Sequence, residues 1–372
     1  MLALQALTPR ALADAIPEVS LAEARKLIAQ VHRGEPITAT SAVRRVAADA
    51  VRATGELPRL EVVAETRSAI DPFVKYLLAG VGDERFEAVR IPLEHPGRFT
   101  VCVSSQVGCA LGCAFCATGR LGLTRNLAAW EIVEQVREVK ARLQIGGRIP
   151  AKGEPADQGV GRPLGADRRS SDRPRVHGVV FQGMGEPLAN LDAVLAAIAV
   201  MCEPCALGID ARRITVCTAG LPGGIRRLAE AAPNVRLAIS ISSAIAEHRL
   251  RVMPITRAHS LDDVLAAAAD HARATRLAPM WAVTLLAGVN DSDADAAALV
   301  AHARAFEADT GVRPRLSILS YNSIAIADDP FAPSDREPAF RAVLSAAGLP
   351  SHRRYSGGGD VAAACGQLAA RR

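Results

Sequence analysis

The segment CVSSQVGCALGCAFCATG, residues 102–119, decides how the fold is read. It continues the two-residue alternation of FTVCVSS (99–105), which predicts a strand, and runs directly into Cys109, Cys113 and Cys116 in C-x3-C-x2-C spacing. Three thiolates on one loop after a strand leave one iron of a four-iron cubane without a protein ligand. Zinc normally takes four ligands, commonly as two matched pairs. The other close pair, Cys202 and Cys205 in CEPC, stands at a predicted helix end far along the chain. A zinc site, clustered core cysteines and a Cys109–Cys113 disulfide are the alternatives, the last disfavoured in a reducing compartment.

Downstream of this loop, short apolar runs alternate with helical periodicity. HGVVFQG (177–183), RRITVCT (212–218), VRLAISIS (235–242), MWAVTLL (280–286) and RLSILSY (315–321) read as strands. LDAVLAAIAVMC (191–202), GIRRLAEAA (224–232), LDDVLAAAADHARA (261–274), DADAAALVAHARAF (293–306) and PAFRAVLSAAG (338–348) read as helices. Such alternation predicts an α/β fold with a mostly parallel sheet or barrel, whose active site lies at the carboxyl ends of the strands. Upstream, LAEARKLIAQVHR (21–33) and SAVRRVAADAVRA (41–53) repeat at helical spacing, LEVVAETRS (60–68) and FEAVRIPLE (86–94) read as strands, and AAWEIVEQVREVKARL (128–143) as a helix. The Gly-, Pro-, Arg- and Asp-rich stretch around 145–175 has almost no apolar periodicity and reads as an exposed, flexible insertion.

With 372 residues, 49% of them hydrophobic, the chain can bury a sizeable core. Its net charge of +5 permits a polyanionic partner without requiring one. MLALQALTPRALADAIPEVS lacks the apolar core of a signal peptide, and no apolar run reaches the roughly 18 residues of a membrane span. A soluble, cytoplasmic protein without membrane contact is expected, whose eight cysteines serve metal or catalytic roles rather than structural disulfides.

The cysteine segment, followed by RN (125–126), GMGEP (183–187), ITVCTAG (214–220) and ACGQLA (364–369), resembles the radical S-adenosylmethionine methyltransferases acting on adenine carbon 2 of 23S rRNA and tRNA, and their carbon-8 relatives that confer antibiotic resistance. The similarity runs from about Glu87 to the C-terminus, with a weaker echo in the N-terminal helices. It implies a partial (β/α) barrel of the radical SAM type over residues 86–345, a small, mostly helical accessory domain over 1–85, and a C-terminal segment, 346–372, carrying a methyl-accepting cysteine. A [4Fe–4S] cluster on Cys109, Cys113 and Cys116 and S-adenosylmethionine on its open iron are the implied cofactors. Cleavage of the sulfonium would give a 5′-deoxyadenosyl radical. Such a radical route suits a ring carbon that has no lone pair with which to attack a methyl sulfonium.

The resemblance assigns Cys365 as the methyl carrier, which adds to adenine as a protein–RNA adduct, and Cys102 as the thiol that releases the product through a transient disulfide. Glu87 matches a proton acceptor. Gly185 and Glu186 match S-adenosylmethionine contacts, and Cys217, Ser240, Ile241, Ser242 and Asn322 fall at further ligand positions. Cys217 and Ser242 replace the usual serine and histidine, and Asn322 sits in YNS rather than a tryptophan–asparagine–proline triplet. Three glycines, 357–359, replace an arginine–glycine pair and acidic residues, with Asp360 kept; this departure bears on the RNA substrate. Candidate phosphate contacts are Arg44 and Arg45, Arg168 and Arg169, Arg353 and Arg354, and Arg371 and Arg372. The implied partners are rRNA or tRNA and an electron donor such as flavodoxin or ferredoxin, with the chain a monomer. Another radical SAM modification, or a degenerate cluster- and RNA-binding paralogue, are the competing readings.

Overall fold

The computed structural model describes residues 1–145, 174–324, 326 and 329–370. The expected insertion at 145–175 lies, apart from its ends, outside the described residues, as do Arg168, Arg169, Arg371 and Arg372.

Ten strands form one sheet in which spatial order follows chain order. They are β1 (Glu61–Arg67), β2 (Val74–Ala79), β3 (Arg85–Pro92), β4 (Arg98–Cys102), β5 (Arg175–Phe181), β6 (Ile214–Thr218), β7 (Arg236–Ser240), β8 (Met280–Leu285), β9 (Arg315–Ser320) and β10 (Ser351–Arg354). Strands β1 to β4 form an antiparallel meander, and β4 to β10 are parallel. Parallel strands need long crossovers, and the helices Ala129–Ile145, Leu191–Cys202, Pro222–Ala231, Leu261–Thr275, Asp293–Thr310 and Glu337–Ala346 supply them. All but one of the expected strands end one to three residues short of their runs, because the loops at their carboxyl ends leave the sheet. Val74–Ala79, Ser351–Arg354 and a small hairpin of Gln106–Cys109 with Gly122–Asn126 join the expected set, as does the helix Ala246–Val252.

The outer face of the sheet carries the core. Val101, Val179, Val216, Leu237, Ile239, Trp281 and Ile318 are buried there under the helices, and Trp281 meets Phe306 edge-on at 5.2 Å. The helices begin where the sequence provides caps: Ser20, Ser260 and Ser292 each form a capping box with an acidic residue three positions on. Residues 1–54 fold as three helices, Pro9–Ala15, Leu21–Arg33 and Arg45–Thr54, around Leu12, Leu27, Ile28 and Val51. No helix among the described residues is long and apolar enough to cross a membrane.

The inner face has a different character, and register defines it. Val89 pairs with Cys102, Cys102 with Val180, and Val180 with Thr215. Ser240 pairs with Ala282, Ala282 with Ser317, and Leu319 with Arg354. Because alternate residues share a face, Lys75, Glu87, Cys102, Cys217, Ser240, Ser317 and Arg354 all point to one side. Polar and sulfur-bearing side chains from seven strands therefore look into the same concavity.

Candidate active site

Cys109 ends the first hairpin strand, and two glycines allow the loop to turn there. Gly108 has φ +75°, and a Cβ on it would stand 1.9 Å from the Gly122 carbonyl oxygen. A Cβ on Gly119 would stand 2.9 Å from the Cys113 nitrogen, so the short helix Ala117–Arg120 can close over the loop only as glycine there. The Cys116 amide donates to the Cys113 carbonyl at 3.1 Å, and the Ala114 amide to the Val252 carbonyl at 2.9 Å. Leu111 and Phe115 pack with Val252, Met253 and Leu286.

Burial raises the pKa of all three thiols: Cys109 to about 11, with Glu186 and Cys116 adding to the effect, and Cys113 and Cys116 also upward. Thiolates here need a compensating cation, which cluster iron provides. In a cubane each ligand takes its own iron, and three thiolates on one loop leave the fourth iron open, so this donor set fits a cluster.

Arg249 is fully buried beside this loop. It donates to the carbonyls of Ser240 (2.8 Å), Ile241 and Ala219 (2.7 Å), tying together the loops that follow β6 and β7. Its Nε has no partner, and among the described residues no carboxylate is in ion-pair range. Burial pulls its pKa down to about 10, while the neighbouring Cys113 acts in the opposite sense.

The GMGEP turn follows β5. Gly185 has φ +97°, and a Cβ would stand 2.5 Å from Gln106 Cβ, so this turn requires glycine. The Glu186 amide donates to Gln106 Oε1 at 2.8 Å. Its buried carboxylate accepts from the amides of Ala219 (2.8 Å) and Leu188 (3.0 Å). Burial raises the Glu186 pKa, and those amides hold it back. Ile241 and Ser242 donate to the Ala282 carbonyl, and Ser242, at φ +56°, has its own carbonyl capped by Asn290. Cys217 is buried, which pushes its thiol up to about 12. Gly185, Glu186, Cys217 and residues 240–242 thus share the strand-end rim with the cysteine loop.

The C-terminal segment folds back across this rim. Asn322 Nδ2 donates to the Cys365 carbonyl at 3.1 Å, and the Cys365 amide donates to Ser356 Oγ at 2.9 Å. The Ala117 amide donates to the Gly366 carbonyl at 2.7 Å. Glu87, 1% exposed, accepts from the amides of Ala369 (2.9 Å) and Ala370 (3.0 Å) and pairs with Lys75 Nζ at 3.0 Å. A cavity of about 110 Å³ remains, lined among others by Cys102, Cys116, Cys365, Gln182 and Arg354. Glu87 does not line it; with Lys75 it borders a neighbouring hollow of about 50 Å³.

The glycine run has a packing reason. A Cβ on Gly357 would stand 2.4 Å from Phe73 Cε2 and 2.5 Å from Asp71 Oδ2, so an arginine has no room there. Asp71 accepts from Tyr355 and from the Gly358 amide, each at 2.8 Å, while Asp360 accepts from Ser68 Oγ at 2.7 Å and the Ala69 amide at 2.8 Å. The basic pairs divide unexpectedly. Arg44 holds Glu23 at 2.9 Å and Arg353 holds Glu337 at 3.1 Å, while Arg354 turns into the cavity. The inward turn of Arg354 and the burial of Arg249 were missed from sequence; only strand parity, once β10 is recognised, separates Arg354 from Arg353. All eight cysteines are free.

This fold, with its cysteine loop at the strand ends, is that of a radical S-adenosylmethionine enzyme. It superposes on a radical SAM methyltransferase from Sphaerobacter thermophilus over 100% of both chains, with a TM-score of 0.81 and 32% identity. The chain is 53% identical to a probable RNA methyltransferase of Sorangium cellulosum, over 94% of this chain and 88% of the relative. It is 39% identical to the dual-specificity RNA methyltransferase RlmN of Syntrophobacter fumaroxidans, over 85% and 81% respectively. No family model matches. The chain belongs to the RlmN-type family of radical SAM RNA methyltransferases, whose cofactors are a [4Fe–4S] cluster and S-adenosylmethionine.

Proposed function

We propose that this chain methylates carbon 2 of an adenine in rRNA or tRNA, with Cys365 carrying the methyl group and Cys102 releasing the product. The observation that carries this reading is the shared cavity: Cys102 and Cys365, 263 positions apart in sequence, line it together with Cys116 of the cysteine loop.

In this reading Cys109, Cys113 and Cys116 would hold the cluster, and Gly185, Glu186, Cys217, Ser240, Ile241, Ser242 and Asn322 would bind S-adenosylmethionine. Those cofactors supply the methyl group and the hydrogen-abstracting radical. The chain's own residues do the rest. Cys365 Sγ would be the nucleophile that takes up the methyl group. Asn322 and Ser356 fix the backbone that aims this sulfur. Cys102 later attacks the same sulfur and frees the methylated base. The target base must be unstacked to enter the site that the strand-end rim and its covering tail enclose. Glu87 anchors the tail; to serve as the proton acceptor assigned by the resemblance, it would first have to release the Ala369 and Ala370 amides. Residues 86–345 form the catalytic core of this scheme, 1–85 the accessory part and 346–372 the carrier segment. A flavodoxin- or ferredoxin-type electron donor, a cytoplasmic setting and a monomeric state complete the proposal.

The test is turnover of the cluster-loaded protein on total RNA. Carbon-2 methyladenine should appear with the parent and not with Cys365→Ala, and Cys102→Ala should leave RNA covalently attached to protein in denaturing gels. Methylated RNA from the Cys365→Ala variant, or carbon-8 product from the parent, refutes the scheme or its regiochemistry respectively.

A further inference from the structure

Arg354 lies on the innermost polar stripe of the sheet and has no role in the scheme so far. Strand parity sends Arg353 outward to Glu337 and Arg354 inward, level with Leu319. Its Nη2 donates to Gln182 Oε1 at 2.7 Å. Its Nη1 is shut off from solvent with no hydrogen-bond partner. Among the described residues no carboxylate is in ion-pair range of this guanidinium. Arg354 as a whole is half-buried, but shutting part of a guanidinium away from water without a partner is costly, and an anion formed beside it would offset that cost. Cys102, Cys365 and Arg354 line one cavity; the titratable groups acting on Cys102 are Cys365 on the tail and Cys217 on β6, and among the described residues Arg354 is the charge that acts on all three thiols. Glu186 bears on Cys217 and on the cluster loop.

We propose that Arg354 is a positioning residue that supplies the fixed positive charge against which Cys102 acts as the resolving thiolate. The inference rests on the carrier-and-resolver reading above. Burial drives the Cys102 thiol strongly upward, and Arg354 opposes that drive. In the resolving step Cys102 loses its proton to solvent, and its thiolate attacks Cys365 Sγ. The sulfur–sulfur bond forms, and the bond from Cys365 Sγ to the methylene carbon breaks. That electron pair leaves with the carbon, which takes a proton and becomes the methyl group of the product. The two sulfurs are oxidised as the carbon is reduced, and an external thiol must reduce the disulfide before the next cycle.

The experiment measures modification of Cys102 by methyl methanethiosulfonate against pH in the anaerobic, iron-loaded full chain, read on the Cys102 peptide by mass spectrometry. Arg354→Gln should move the midpoint up by about one pH unit or more, which is about a tenfold loss of rate below the midpoint. Arg354→Lys should restore most of it. Gln182→Leu, which only unties the guanidinium, should shift it part-way and carries the test if Arg354→Gln fails to hold iron. In turnover, Arg354→Gln should still methylate Cys365 but accumulate protein-linked RNA. A Cys102 profile identical in parent, Arg354→Gln and Gln182→Leu overturns the inference. If the parent never methylates Cys365, the carrier reading fails instead, and the pH profile separates the two failures.

Discussion

Removing the Glu87 carboxylate tests whether the tail that carries Cys365 is held by one residue. In Glu87→Ala the amides of Ala369 and Ala370 lose their acceptor at 2.9 and 3.0 Å, and Lys75, 13% exposed, loses its partner at 3.0 Å. Breaking a buried pair by deleting one partner costs about 3–5 kcal/mol, and a buried amide left without an acceptor about 1–3 kcal/mol. Ala370 and Lys75 reach water once the tail lifts, so about 4 kcal/mol is the reasonable loss in tail docking. That corresponds to an increase in tail opening on the order of several hundredfold. Hydrogen exchange at residues 369 and 370 reads this opening directly. Glu87→Gln keeps an oxygen for the amides but gives up the charge, so its exchange should rise by only about tenfold, charged acceptors being roughly twice as strong as neutral ones. If exchange in Glu87→Ala stays within about threefold of the parent, less than 1 kcal/mol, Glu87 is not the latch.

Cys113→Ala should lose the visible absorption of the cluster and its iron content, and an unchanged iron content would rule out the three-thiol assignment. Gly185→Ala forces a side chain into Gln106 at φ +97°, so S-adenosylmethionine affinity should fall more than tenfold and stability by about 2–4 kcal/mol, checked by equilibrium dialysis and thermal melting. Burial pulls the pKa of His271 down from 6.5 to about 4, so the unfolded chain binds the proton first as pH falls. Its contribution to stability is therefore full above pH 6.5 and declines by up to about 3 kcal/mol on the way to pH 4. Urea unfolding of His271→Gln should show a shallower loss across that window than the parent, and parallel curves would contradict it.

The parallel strands were legible because both their faces are covered, and they read as short apolar runs between polar turns. The cysteine loop was legible from spacing alone. Val74–Ala79 was missed because Lys75 interrupts its run, and the charge makes sense only once Glu87, diagonally across on the neighbouring strand, is within reach of it. Ser351–Arg354 was missed because an edge strand reading SHRR has no apolar alternation. With that strand unrecognised, nothing in the sequence told Arg353 from Arg354, since a one-residue change of register exchanges the faces. Nothing in the sequence singled out Arg249, because the carbonyls it binds lie 8 to 30 residues away. The glycines at 357–359 marked a departure without a reason; Phe73, nearly 300 residues earlier in the chain, supplies it for Gly357 and Gly358, while Gly359 has open space around it.

The central claim is that the sulfur of Cys365 carries the methyl group. The direct measurement is mass analysis of the Cys365 peptide after cluster-loaded protein is incubated with S-adenosylmethionine labelled in its methyl group. One labelled methyl is expected on Cys365 in the parent and in Cys102→Ala, and no label anywhere on the chain in Cys365→Ala. Labelled methyl reaching RNA from the Cys365→Ala protein, or label settling on Cys217 instead, would contradict it.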